Sequence, residues 1–214
     1  MQKKLTDTRY MVMLAMFCAL MLVLQATGIG LIPLPFIKLT IMHIPVILGA
    51  IVLGTKAGGI LGGVFGLCSI WANMKAPAAL SFAFNPILAG ELCGFWGALA
   101  AVWTALICRI LLGVAAGLIW ELLKKWKVND FLALPITAGI ATVFHSLIVM
   151  GSIGLLFAPQ FAEVKGIALD AVFGIAMGIV GTSGIPEAIA AIILVTALGK
   201  VMLELTRRMK PRRN

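Results

Sequence analysis

Residues 11–24, MVMLAMFCALMLVL, carry no charge and no polar group beyond one thiol. Stretches of this character recur along the whole chain, and a run of about 20 apolar residues is what a helix needs to cross a bilayer. In hydrocarbon every backbone amide and carbonyl must be bonded within the protein, and a helix satisfies them from within one segment. The composition agrees: 62% of residues are hydrophobic and 12% charged, against about 45–50% and about 25% in soluble domains. The chain therefore reads as an all-α integral membrane protein. Its 214 residues suffice for a single compact domain, 1–214, with short basic tails at about 1–8 and 207–214.

Six helices are predicted, at about 9–28, 43–54, 57–73, 95–125, 131–156 and 170–206. The first apolar run is too long for the core of a signal peptide and lacks an A-x-A exit, so it is expected to stay as a span. The second is short, so the loop GLIPLPFIKLTIMHIP before it is expected to dip toward the membrane, where non-helical backbone is tolerated only against protein or a wet cavity. The last is too long for one straight span and carries GTSGIP, which predicts a helix broken near Gly181–Pro186. Broken helices free backbone groups that can grip a polar solute. Both irregularities sit at the same end of the bundle, where a pocket is expected.

The net charge of +9 suggests nucleic acid only until its distribution is examined. Lys3, Lys4 and Arg9, then Lys56, then Lys124, Lys125 and Lys127, then Lys200, Arg207, Arg208, Lys210, Arg212 and Arg213 fall in the tails and alternate turns. Lys38, Lys75 and Lys165 occupy the other loops. This is the positive-inside pattern, with an even number of spans and both termini cytoplasmic. Cys18, Cys68, Cys93 and Cys108 stand singly in apolar segments, which suits small buried hydrophobes rather than a metal site or disulfides.

Two short motifs fail on context. GAIVLGTK, 49–56, has Thr55 and Lys56 in the wrong order for a phosphate loop and follows a membrane helix, so the chain holds no nucleotide site of its own. GTSG resembles the G-x-S-G of rhomboid intramembrane proteases, with His145 as possible partner, but His145 precedes Ser183 where those enzymes have the reverse order. A serine-hydrolase reading remains an alternative. So does a standalone facilitator.

The polar residues inside the spans are the candidate site. Arg109 lies about 22 Å along a helix before Lys124 at 1.5 Å per residue, too deep for a surface anchor. Ionisable groups at such depth face a cavity or a partner. Arg109 is expected to pair with Glu187 or to meet a ligand. His145 is either a packing histidine or a contact, and Glu187, just after Pro186, either caps a helix start or organises a site. Trp71 suits an interface anchor as well as a pocket, and Asn73 and Asn85 suit a loop turn as well as a ligand. Ala15 and Ala19, four apart, leave a flat strip for another helix. The GGILGGVFG run reads as internal close packing.

Four stretches in order, TIMHIPVILGAIVLGTKAGGILGGVFGLCSIW, RILLGVAAGLIWELLKK, HSLIVMG and GTSGIPEAIAAIILV, resemble the substrate-binding S-components of energy-coupling factor (ECF) transporters, the vitamin-uptake branch of ABC transporters. Relatives typically carry Pro-Arg-Ile-Leu, Asn-Thr and Asn-Gly-x-x-Glu motifs. Here Cys108 replaces the proline, His145 and Ser146 replace Asn-Thr, and Ser183 replaces the asparagine before Gly184. The resemblance implies six helices in a multi-pass protein of a prokaryotic plasma membrane, a substrate pocket near the outer face, and a lid between the first two helices. It implies partners, a coupling transmembrane subunit and a pair of ATPases, with Ala15 and Ala19 at the coupling contact. It implies no cofactor, ATP being used only by the partners, and no enzymatic activity. The expected substrate contacts are Lys38, Thr40, His43, Trp71, Asn73, Asn85, Arg109, His145, Ser183 and Glu187. Arg109 and Lys38 suit a carboxylate, and His145, Asn73 and Glu187 suit hydroxyls and amides. The chain looks most like pantothenate S-components, with riboflavin, folate or another vitamin as alternatives.

Overall fold

The computed structural model of the protein describes residues 8–28, 31–33 and 38–208; most of the two basic tails lies outside these. Helix α1, Thr8–Thr27, buries Tyr10, Phe17 and Met21, with Met13, Leu14 and Cys18 half-buried beside them. Two three-residue strands, β1 (Leu31–Pro33) and β2 (Lys38–Thr40), pair antiparallel with Leu31 opposite Thr40. Then follow α2 (His43–Leu53), α3 (Thr55–Lys75), α4 (Pro86–Val102), α5 (Cys108–Lys125), α6 (Asp130–Leu156), the short α7 (Ala158–Lys165), α8 (Val172–Ile179) and α9 (Ile185–Arg208).

Among the described residues, five helical stretches are long and apolar enough to cross a membrane: Thr8–Thr27, Thr55–Lys75, Pro86–Lys125, Asp130–Leu156 and Leu169–Thr206. The sixth predicted span, α2, has 11 residues, and all of them are buried. It packs against α1, α3, α5, α6 and α9 and forms the central post of the bundle. A helix that is apolar all round is one that is surrounded, and here the surroundings are protein.

The α3–α5 contact explains the glycine run. A Cβ added at Gly58 would collide with the Gly113 carbonyl oxygen, and one at Gly62 with that of Arg109. Backbones this close require glycine on the facing stripe. At the far end of the same pair, the Thr55 hydroxyl donates to Glu121 Oε1 at 2.7 Å. The α5–α6 turn is fixed by Lys124, which donates to Asp130 Oδ1 at 2.5 Å and to the Val128 carbonyl at 3.1 Å.

Three sequence expectations are corrected. The fourth helix begins at Pro86, not near residue 95: the Asn85 side chain accepts from the amides of Ile87 at 3.0 Å and Leu88 at 3.4 Å, which starts a helix ahead of Pro86 at its first position. Gly94, at φ 67° and ψ −163°, then turns the axis. The outer loop 158–165 is itself helical and ends at Gly166 in the left-handed region (φ 63°). The last segment is not broken at Gly181–Pro186. Val180–Gly184 forms a single π turn, and helical backbone continues through Ile185 (φ −66°, ψ −50°). Pro186 has no amide to give the Thr182 carbonyl, and one wider turn absorbs the change of register. A second π turn, Trp103–Ile107, joins α4 to α5.

Candidate functional site

Two apolar clusters divide the bundle. One, around α2, includes Phe65, Leu61 and Leu112. The other gathers Phe82, Phe157 and Phe161 at the end opposite the Lys124–Lys127 turn, with Phe82 edge-on to Phe157 at 5.5 Å. Between them lies a cavity of about 200 Å³, bordered by the start of α2, the middle of α3 and α6, the start of α5 and the π turn before α9.

Arg109 and Glu187 carry its charges, and Arg109 is the one built into α5. The second π turn sits just before it, and π turns leave carbonyls without ordinary helical partners. Arg109 Nη1 donates to two of them, Thr104 O at 2.9 Å and Ala105 O at 3.0 Å. The guanidinium carbon stands 4.9 Å from the Phe65 ring centroid and 5.1 Å from that of Phe84, a stacking arrangement available to a planar cation but not to an ammonium. The residue is 7% exposed. A cation so buried holds its charge only with compensation, and carbonyl oxygens supply partial charge, not a full negative one. Arg109 Nε has no hydrogen-bond partner among the described residues.

Of the expected contacts, the structure brings His43, Arg109, His145, Ser183 and Glu187 to the wall of this one cavity. His43 opens α2 and is 3% exposed. Glu187 stands in the first turn of α9. Three others are elsewhere. Trp71 is 61% exposed and has the Lys75 ammonium 5.4 Å from its ring centroid. Asn73 is spent on the α3–α4 connection, donating to Ser69 O at 2.8 Å and accepting from the Ser81 hydroxyl at 2.7 Å. Asn85 is the cap of α4. The bonds of Asn73 thus serve the connection predicted beside its ligand role, and those of Asn85 serve the start of a helix. The side chains of Lys38 and Thr40 lie outside the described residues; their backbones belong to β2.

Sequence reasoning missed Thr142, Ser146 and the apolar walls Val149, Met150, Ile179 and Val180, and gave no role beside Arg109 to Phe65 and Phe84. A sequence signal existed for Thr142 and Ser146: with His145 and Val149 they recur at three- and four-residue spacing on α6. Ala15 and Ala19 are both exposed on the outer stripe of α1. The four cysteines are free thiols, Cys68 and Cys108 being buried.

Comparison with known proteins matches the geometry. The family described as ECF transporter, substrate-specific component, matches residues 9–199. The chain is 31% identical over 191 residues to the pantothenic acid transporter PanT of Lactococcus lactis subsp. cremoris, across 86% of this chain and 89% of that protein. It is 29% identical over 213 residues to the pantothenate transporter PanT of Leuconostoc mesenteroides subsp. mesenteroides, across 94% and 95%. A bundle of apolar helices with polar side chains gathered on a cavity wall, matched to this family over most of its length, belongs to the substrate-specific components of ECF transporters.

Proposed function

We propose that this S-component captures pantothenate, with Arg109 receiving its carboxylate. The observation that carries the reading is one stacked, buried guanidinium on a cavity of about 200 Å³, in a chain whose relatives are named pantothenate transporters. Carboxylate and guanidinium match as two parallel hydrogen bonds, and a ligand carboxylate would provide the full counter-charge that backbone carbonyls do not. Size supports the same ligand: pantothenate has about 15 non-hydrogen atoms against about 27 for riboflavin and about 32 for folate, and drug-sized ligands need pockets of roughly 300 Å³ or more. His43, His145, Ser183 and Glu187 are proposed as hydrogen-bonding contacts for the rest of the molecule.

In this reading α2 completes a set of six spans, the basic turns and tails face the cytoplasm, and the cavity opens outward. A coupling transmembrane subunit and a pair of ATPases drive release inside, with the exposed Ala15–Ala19 strip of α1 as the contact. The test is mass spectrometry of small molecules that co-purify with the detergent-solubilised protein, alongside Arg109→Ala. Pantothenate carried by the wild type and lost from the variant is the expected result. A flavin or folate in the wild type would overturn the substrate.

A further inference from the structure

Helix α6 faces the cavity with Thr142, His145, Ser146 and Val149, a stripe of one helical face. Thr142 is its deepest polar member, 1% exposed, and its Oγ1 has no hydrogen-bond partner among the described residues. A helical threonine has an easy partner in the carbonyl one turn back. Thr104 takes it, on Ala100 O at 2.9 Å, and Thr206 takes it on Met202 O at 2.7 Å. Thr142 does not. One turn on, His145 Nδ1 is likewise buried and unpartnered, and its ring packs on Phe65 at 6.1 Å between centroids, the same ring that Arg109 stacks against. Thr137 on the same helix is also buried without a partner, but it does not border the cavity, so it serves as an internal control.

A buried hydroxyl left unpaired costs free energy that a bound polar group would recover. Arg109 offers the charge that suits a carboxylate, and Thr142 offers an uncharged donor and acceptor that suits a hydroxyl. We propose that Thr142 is a specificity-determining residue: its hydroxyl, with His145 Nδ1, receives the hydroxyl-bearing end of the ligand whose carboxylate lies at Arg109. The assignment rests on the substrate reading above. It makes the site one that hydrogen-bonds a substrate hydroxyl, and such sites reject analogues lacking it far more strongly than apolar pockets reject a missing methylene.

The experiment is calorimetric titration of the purified full chain with pantothenate and with N-(3,3-dimethylbutanoyl)-β-alanine, which keeps the carboxylate, amide and methyl groups but lacks both hydroxyls. The variants are Thr142→Val, which keeps the shape, Thr142→Ser, which keeps the hydroxyl, and Thr137→Val. Thr142→Val is expected to weaken pantothenate by about tenfold or more, with Thr142→Ser and Thr137→Val within about threefold of wild type. The dehydroxylated analogue is expected to bind wild type at least about tenfold more weakly than pantothenate, and equally well to Thr142→Val. An equal loss of both ligands in Thr142→Val, or no loss of pantothenate, overturns the proposal. A wild type that binds neither ligand overturns the pantothenate reading instead. The Thr142 assignment is then decided by the small molecule retained through purification: held by wild type and Thr137→Val but lost from Thr142→Val supports it, and equal retention by all three overturns it.

Discussion

Gly62 of α3 lies directly on the backbone of Arg109 in α5, so close that a Cβ at Gly62 would overlap the Arg109 carbonyl oxygen. The placement of the guanidinium is thus set by a residue with no side chain. Gly62→Ala is expected to cost about 1–3 kcal/mol through overpacking against unyielding backbone and to weaken ligand binding with it. Gly63→Ala, whose Cβ meets only Ile110 Cγ1 at 3.9 Å, should leave both untouched. Thermal melting and titration of the two variants side by side check this pair.

Arg109→Lys preserves charge but loses the fork that reaches Thr104 and Ala105 and the plane that stacks between Phe65 and Phe84. Affinity for pantothenate is expected to fall by about tenfold or more, the worth of one charge-assisted hydrogen bond. Retention of full affinity in Arg109→Lys would mean that the cation acts as a point charge and that the stacking is incidental.

Gly184 stands where α9 meets α6. A Cβ there would come to 3.2 Å from both Cβ and Oγ of Ser146 and to 3.4 Å from Val180 Cγ1, all of them cavity walls. Gly184→Ala should move this wall and reduce affinity severalfold, while Gly181→Ala, with nothing within 4 Å, should bind as the wild type does. Titration decides between them.

Asn85→Ala removes the α4 cap and is expected to cost about 1 kcal/mol of stability, read as a lower melting midpoint in detergent. Its dissociation constant, like that of Trp71→Ala, should stay within about twofold of wild type, since neither side chain borders the cavity. A large loss of binding in either would return that residue to the site.

Ala15→Trp combined with Ala19→Trp places bulk on a strip that faces away from the bundle. Ligand binding by the isolated chain should persist, and uptake in cells that supply the coupling module should vanish. Loss of binding would show that the strip serves this chain's own packing.

Five of the six predicted spans were readable in the apolar runs, and the cavity-lining Arg109, His145 and Glu187 stood out because polar groups inside such runs need a reason, Ser183 because of its GTSG motif and His43 through the family resemblance. The rest depended on rotation about helix axes. A membrane helix is apolar toward lipid and toward protein alike, so hydrophobic periodicity does not say which way Asn73 or Thr142 points. The same limit explains why Asn85, next to Pro86, read as a loop residue when it begins a helix. GTSGIP signalled an irregularity correctly, but glycine permits a break without imposing one, and the chain took the smaller distortion of a π turn.

Helix α2 is about 17 Å long at 1.5 Å per residue, little more than half the roughly 30 Å of a hydrocarbon core, and its whole perimeter faces protein. Such a segment is too short to settle in lipid alone. Its burial is supplied entirely by its neighbours α1, α3, α5, α6 and α9, and it turns back into α3 at Gly54, whose φ of 101° allows the reversal. His43, at its leading end, therefore keeps its place on the cavity wall only while that ring of helices is closed. A lesion anywhere in the surrounding ring would surface as a protein that inserts correctly but fails to hold its cargo.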